Sequence, residues 1–75
     1  MDTRLKQLRR ELGLTLLKVN LGSKMRETVI ASIENRRCKA YPKQRVALAA
    51  FYGLPEGELF SKDGFARLEG EGNGG

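Results

Sequence analysis

The chain has 75 residues, 40% of them hydrophobic, and a formal charge of +5 from 14 Lys and Arg against 9 Asp and Glu. A chain this short builds one small core, and such domains commonly dimerise or idealise their helix packing to compensate. With no histidine and a single cysteine, Cys38, it lacks the means for His-dependent catalysis, ordinary zinc ligation, an internal disulfide or a cysteine metal cluster.

No apolar run approaches the ~20 residues of a membrane span. Met1-Asp2-Thr3-Arg4 opens straight into a charged helical pattern, not a secretory leader. The expectation is a cytoplasmic protein that is not an enzyme and has no membrane partner, cofactor, metal or small-molecule ligand. Charge is uneven: residues 1–60 carry +6 and residues 61–75 carry −1. Between positions 36 and 45, Arg36, Arg37, Lys39, Lys43 and Arg45 occur without an acid, the electrostatic footprint of a polyanion partner.

Five helices and no strand are predicted. In the first, Leu5, Leu8 and Leu12 recur at helical spacing, Asp2 or Thr3 caps the start, and Gly13 suits a left-handed stop. Thr15 caps a second helix through Leu16, Leu17, Val19 and Leu21 that ends near Gly22, although its apolar positions form no single stripe. A third helix covers residues 24–35. At about 100° per residue, Met25, Val29, Ile30 and Ile33 fall on one side, and Lys24, Glu27, Thr28, Ala31, Ser32 and Asn35 on the other. The outward face is polar and mostly short, as close approach to another surface requires. Residues 36–41 form a basic turn. Pro42 opens a fourth helix to Tyr52, stopped at Gly53, with Leu48, Ala49 and Tyr52 inward and Val46 or Arg45 at the margin. Pro55 opens a short fifth helix over residues 56–60, where Leu59 and Phe60 help close the core.

Residues 61–75 read as a Gly-rich disordered tail following a domain over residues 1–60. Phe65 and Leu68 are its candidates for docking, on the core or on a second subunit, and residues 69–75 have too little apolar surface to offset ordering entropy.

The ordered set Leu5-x-x-Leu8-Arg9, Gly13-Leu14-Thr15, Ile33-Glu34-Asn35, Tyr41-Pro42 and Gly53-Leu54-Pro55 leading to Glu58-Leu59-Phe60 resembles the Cro/C1-type (XRE-like, phage-repressor-like) helix-turn-helix family over residues 4–60. The resemblance implies an all-α, compact five-helix, lambda-repressor-like domain. Its second and third helices would form the DNA-reading unit of a homodimer on two half-sites. It implies a structural ion pair between Arg9 and Glu34, whose rupture would cost ~3–5 kcal/mol.

The resemblance also assigns the contacts. Base contacts fall to Glu27, Thr28 and Ser32, with Arg26 either reading a base or gripping phosphate. Phosphate contacts fall to Lys24, Asn35, Arg36, Arg37, Lys39 and Lys43, which position without carrying sequence information. With ~3–4 such contacts per subunit, a dimer has a salt slope near −6. Leu54, Leu59, Phe60 and Phe65 are the candidate dimer interface.

Three positions depart from the family pattern. Leu16 stands where a phosphate-binding Gln is usual, Asn20 where a small residue is usual, and Lys24 where the turn Gly is usual. Lys disfavours a left-handed turn, so the turn is expected to re-form around Gly22-Ser23, with Ser23 capping a longer third helix. The functional expectation is sequence-specific double-stranded DNA binding by a small transcriptional repressor. The alternative is the same scaffold used as a protein-interaction module, contacting polymerase, a toxin or another regulator.

Overall fold

A computed structural model of the chain describes residues 2–69. Five helices follow one another: α1 (Arg4–Glu11), α2 (Leu16–Ser23), α3 (Glu27–Glu34), α4 (Pro42–Tyr52) and α5 (Glu56–Leu59). The described residues contain no strand, only two isolated antiparallel bridges, Thr3 with Leu68 and Phe60 with Ala66. The fold class is all-α.

Local chemistry accounts for the helix ends. Thr3 starts α1: its Oγ1 accepts from the Lys6 N–H at 3.3 Å and its hydroxyl donates to the Glu34 carbonyl at 2.7 Å. One buried side chain thus caps the first helix and ties it to the end of the third. Thr15 caps α2 through the Lys18 N–H at 3.2 Å. At α4, Pro42 occupies the first turn, where its missing N–H costs nothing, and the Tyr41 N–H donates to Gln44 Oε1 at 2.7 Å.

Two helices stop on glycine as expected. After α1, Gly13 is left-handed (φ +67°), while the Leu14 N–H reaches back to the Arg9 carbonyl at 2.9 Å and the Gly13 N–H to the Arg10 carbonyl at 3.0 Å. Gly53 (φ +69°) closes α4 in the same way through the Leu54 N–H and the Ala49 carbonyl at 3.0 Å. Both are Schellman turns.

The core gathers one or two residues from each helix. Leu5, Val19, Ile30, Ile33, Leu48 and Leu59 are its largest fully buried side chains. Each contributes roughly 1.5–3 kcal/mol by leaving water. The scattered apolar residues of α2 divide in space: Val19 is buried and Leu16 packs against the core, but Leu17 and Leu21 stay 53% and 70% exposed.

Three expectations are corrected. First, the turn does not re-form around Gly22-Ser23. Gly22 lies inside α2 facing Phe51 of α4, and a Cβ there would overlap the Phe51 ring edge. The left-handed residue is Lys24 (φ +62°), whose N–H bonds the Asn20 carbonyl at 2.7 Å. Second, α3 begins at Glu27 instead of residue 24, because Lys24 is left-handed and Arg26 is extended. Ser23 does not cap it: its hydroxyl donates to the Val19 carbonyl at 2.6 Å. Asn20 pins the turn instead, donating from Nδ2 to the Met25 carbonyl.

Third, residues 61–69 belong to the packed body. Past α5 the chain turns back on itself, with the Ser61 N–H on the Phe65 carbonyl at 2.9 Å and the Arg67 N–H on the Leu59 carbonyl at 2.9 Å. Asp63 stabilises this turn by accepting from the Ser61 hydroxyl and the Phe65 N–H, contacts that hold its carboxyl below the ordinary value. The segment then runs beside the N-terminus, where the Arg4 N–H donates to the Arg67 carbonyl at 2.8 Å and the Glu69 N–H to the Asp2 carbonyl at 2.7 Å. Ala66 is fully buried. The expected disorder of residues 70–75 lies outside the described residues.

Candidate nucleic-acid interface

The candidate surface is built around α3, which lies between α1, α2 and the start of α4. Its inward side is anchored by Ile30 and Ile33, each 1% exposed or less, and by Glu34 at 3%. Burial of a carboxylate demands a partner, and Arg9 supplies it. Arg9 Nε lies 2.9 Å from Glu34 Oε2 and 3.2 Å from Oε1, while Nη2 also reaches Oε1 at 3.2 Å. Arg9 Nη1 donates to the Leu14 carbonyl at 3.2 Å, so one guanidinium joins the end of α3 to the α1–α2 turn. Tyr52 faces this pair. Burial, reinforced by the Glu34 carboxylate and opposed by Arg9, pushes its hydroxyl up to about 12.

On the outward side Arg26, Glu27 and Thr28 are exposed and Ser32 is half-buried. Thr28 and Ser32 sit one turn apart on a common face. Together with Val29, they line one wall of a groove of about 300 Å³. Cys38, Lys39, Tyr41 and Gln44 form the remainder of its lining. The structure therefore brings together two sequence-assigned base-contact residues and one phosphate-contact residue, Lys39. Glu27 occupies the first turn of α3, where a carboxylate also complements the helix dipole.

Other assigned residues lie elsewhere. Asn35 and Arg36 line a separate recess of about 140 Å³ with Asp2, Thr3, Lys6, Glu34 and Leu68. There Lys6 Nζ donates to Asn35 Oδ1 at 3.3 Å. Lys24, Arg37 and Lys43 are exposed, with no ion pair recorded for them among the described residues.

The end of α3 repeats the stop seen after α1 and α4, with a different residue. The Arg37 N–H bonds the Ser32 carbonyl at 2.9 Å and the Arg36 N–H the Ile33 carbonyl at 3.1 Å, making a full Schellman turn. Its left-handed position, φ +58°, holds Arg36 where glycine is usual. Both turns flanking α3 are thus closed by a basic residue in the left-handed region.

Sequence reasoning missed Tyr41, Gln44 and Cys38 in the groove, and Lys6 in the recess. The available signal was Tyr41, an aromatic immediately before the helix-opening Pro42, which remains 71% exposed. The dimer assignment changes as well: Leu59 is fully buried and Phe60 is 3% exposed, so both close the core of their own chain and are withdrawn from any interface. Leu54 is half-buried against the core, and Phe65 lies beneath the basic turn.

The described residues contain no cluster of three or more potential metal ligands, and no described helix is long and apolar enough to cross a membrane. Comparison of the chain with protein-family models, with curated proteins and with solved structures gives no match.

Proposed function

We propose that this chain is a sequence-specific double-stranded DNA-binding regulator, a repressor, in which α2 and α3 act as a helix-turn-helix with α3 in the major groove. The observation that carries this reading is the pair of left-handed basic residues, Lys24 and Arg36, bracketing a helix whose outward residues are short and polar. Backbone strain of this kind clusters at ligand-binding and other functional sites.

In this arrangement Thr28 and Ser32 approach base edges, Glu27 accepts from a cytosine amino group, and Arg26 offers a bidentate contact to guanine. The exposed cations Lys24, Arg37, Lys39 and Lys43 supply phosphate contacts. A homodimer on half-sites about one helical turn apart doubles those contacts.

A titration of random duplex DNA at two salt concentrations tests the proposal, with an Arg37→Ala/Lys43→Ala variant alongside. A slope near −6 weakens dimer binding by about a thousandfold or more between ~50 and ~200 mM salt. The variant should bind weakly with a shallower slope. Absence of duplex binding at low salt would overturn the reading in favour of the protein-interaction module. The exposure of Leu17 and Leu21 one turn apart on α2, 53% and 70%, favours that second reading.

A further inference from the structure

Phe65 was a candidate for the dimer interface, yet its ring lies beneath two cations assigned to phosphate. Arg36 Cζ stands 5.6 Å from the ring centroid and Lys39 Nζ 5.9 Å. Both distances fall within the range in which a cation is attracted by an aromatic face. The backbone beside the ring is fixed as well. The Ala40 N–H donates to the Gly64 carbonyl at 3.0 Å, and Arg45 Nη1 donates to the Ala40 carbonyl at 2.7 Å. Gly64 is left-handed (φ +91°), and a Cβ there would sit 3.3 Å from Arg45 Nη1 and 3.4 Å from the Ala40 oxygen. The basic turn therefore rests on residues 64–65 through main chain and side chain together.

We propose that Phe65 is a positioning residue of the DNA interface. Its ring holds the Arg36 and Lys39 side chains in place for phosphate, making the segment that returns from α5 a working part of the binding surface. This inference rests on the DNA reading above. Long basic side chains lose much rotamer freedom on binding, and a ring that limits that freedom beforehand lowers the cost of gripping phosphate. The contact also gives the left-handed Arg36 a reason to keep its side chain.

The test is a salt-dependent titration of a labelled random duplex with wild-type protein, Phe65→Leu, Phe65→Tyr and a protein carrying pentafluorophenylalanine at position 65. The fluorinated ring keeps the packing but reverses the charge distribution of its face, so it serves if Phe65→Leu unfolds. Phe65→Leu and the fluorinated protein should bind about tenfold more weakly, while Phe65→Tyr stays within about twofold. Both cations stay on the chain and can still reach phosphate, so the salt slope should change by less than about 1 and the loss should appear at every salt concentration. In an Arg36→Ala/Lys39→Ala background, Phe65→Leu should produce no further change. Wild-type affinity in Phe65→Leu and in the fluorinated protein overturns this inference alone, as does an equal loss in the double-alanine background. Failure of the wild-type protein to bind at low salt removes the DNA reading and this inference with it.

Discussion

α1 and α4 end on glycines with φ of +67° and +69°, whereas α2 and α3 end on Lys24 and Arg36 with φ of +62° and +58°. Although the α2 stop closes through a single bond from the Lys24 N–H to the Asn20 carbonyl instead of a Schellman pair, the left-handed φ is nearly the same in all four turns. The glycines adopt it freely, but a side chain there costs roughly 1–2 kcal/mol because Cβ crowds the following carbonyl. The strained stops are not scattered: they enclose α3, the helix with the polar outward face. The difference teaches that two turns use the residue that suits the backbone, while the turns around α3 carry a cation at the same unfavourable φ, a cation that the DNA-binding proposal puts to use on phosphate.

The strongest way to sharpen this comparison is to loosen α3 from the scaffold. Glu34→Ala leaves Arg9 unpaired at 16% side-chain exposure. It should cost ~3–5 kcal/mol in chemical denaturation, the usual penalty for orphaning one partner of a buried pair. A loss below about 1 kcal/mol would place the pair among weak surface bridges.

The glycine stops come next. Nothing lies within 4 Å of a Cβ built at Gly13 or Gly53, so alanine there meets only backbone strain. Each substitution should lower stability by about 1–2 kcal/mol, with DNA affinity of the folded protein unchanged. A selective loss of DNA binding in either variant would break the division between scaffold and interface turns.

The smallest expected effect has the opposite sign. Lys24→Gly should raise stability by about 0.5–1 kcal/mol, relief of strain being partly offset by the greater entropy of the unfolded chain. Arg36→Gly should gain less, because it also gives up the ring contact worth about 0.5–1 kcal/mol. Both should bind duplex DNA more weakly. A variant that gains stability and binds as well as wild type would reduce these turns to tolerated strain.

The legible parts of the fold were those governed by nearby residues. The Leu5, Ile30, Ile33 and Leu48 positions follow helical spacing, Thr3 and Thr15 are good caps, and Gly13 and Gly53 stand where helices stop. Readings failed where the deciding partner is distant in sequence. Gly22 looked like a turn glycine, but the demand for a bare Cα comes from Phe51 on another helix. Residues 61–69 looked like tail because their composition is polar, while their backbone is satisfied by Asp2, Arg4, Ala40 and Leu59. Leu59 and Phe60 looked available for a second copy until that segment covered them. In the candidate site, Thr28 and Ser32 were visible from the helical wheel. Tyr41 and Gln44 were not, because the groove forms only when α4 begins beside α3.

The bond from the Arg4 N–H to the Arg67 carbonyl has a temporal consequence. During synthesis the first helix emerges long before the residue that finishes its N-terminal pairing. Ala66 and Leu68 are likewise absent while the five preceding helices are being made. Helices of 8 to 11 residues are marginal on their own, so the pairing of α1 with the return segment can lock only after that segment has left the ribosome. Substitutions that break the pairing at residues 66–68 should therefore lower the stability of the whole domain, and contacts this far apart in sequence should make its folding slower than that of a bundle closed by neighbours alone.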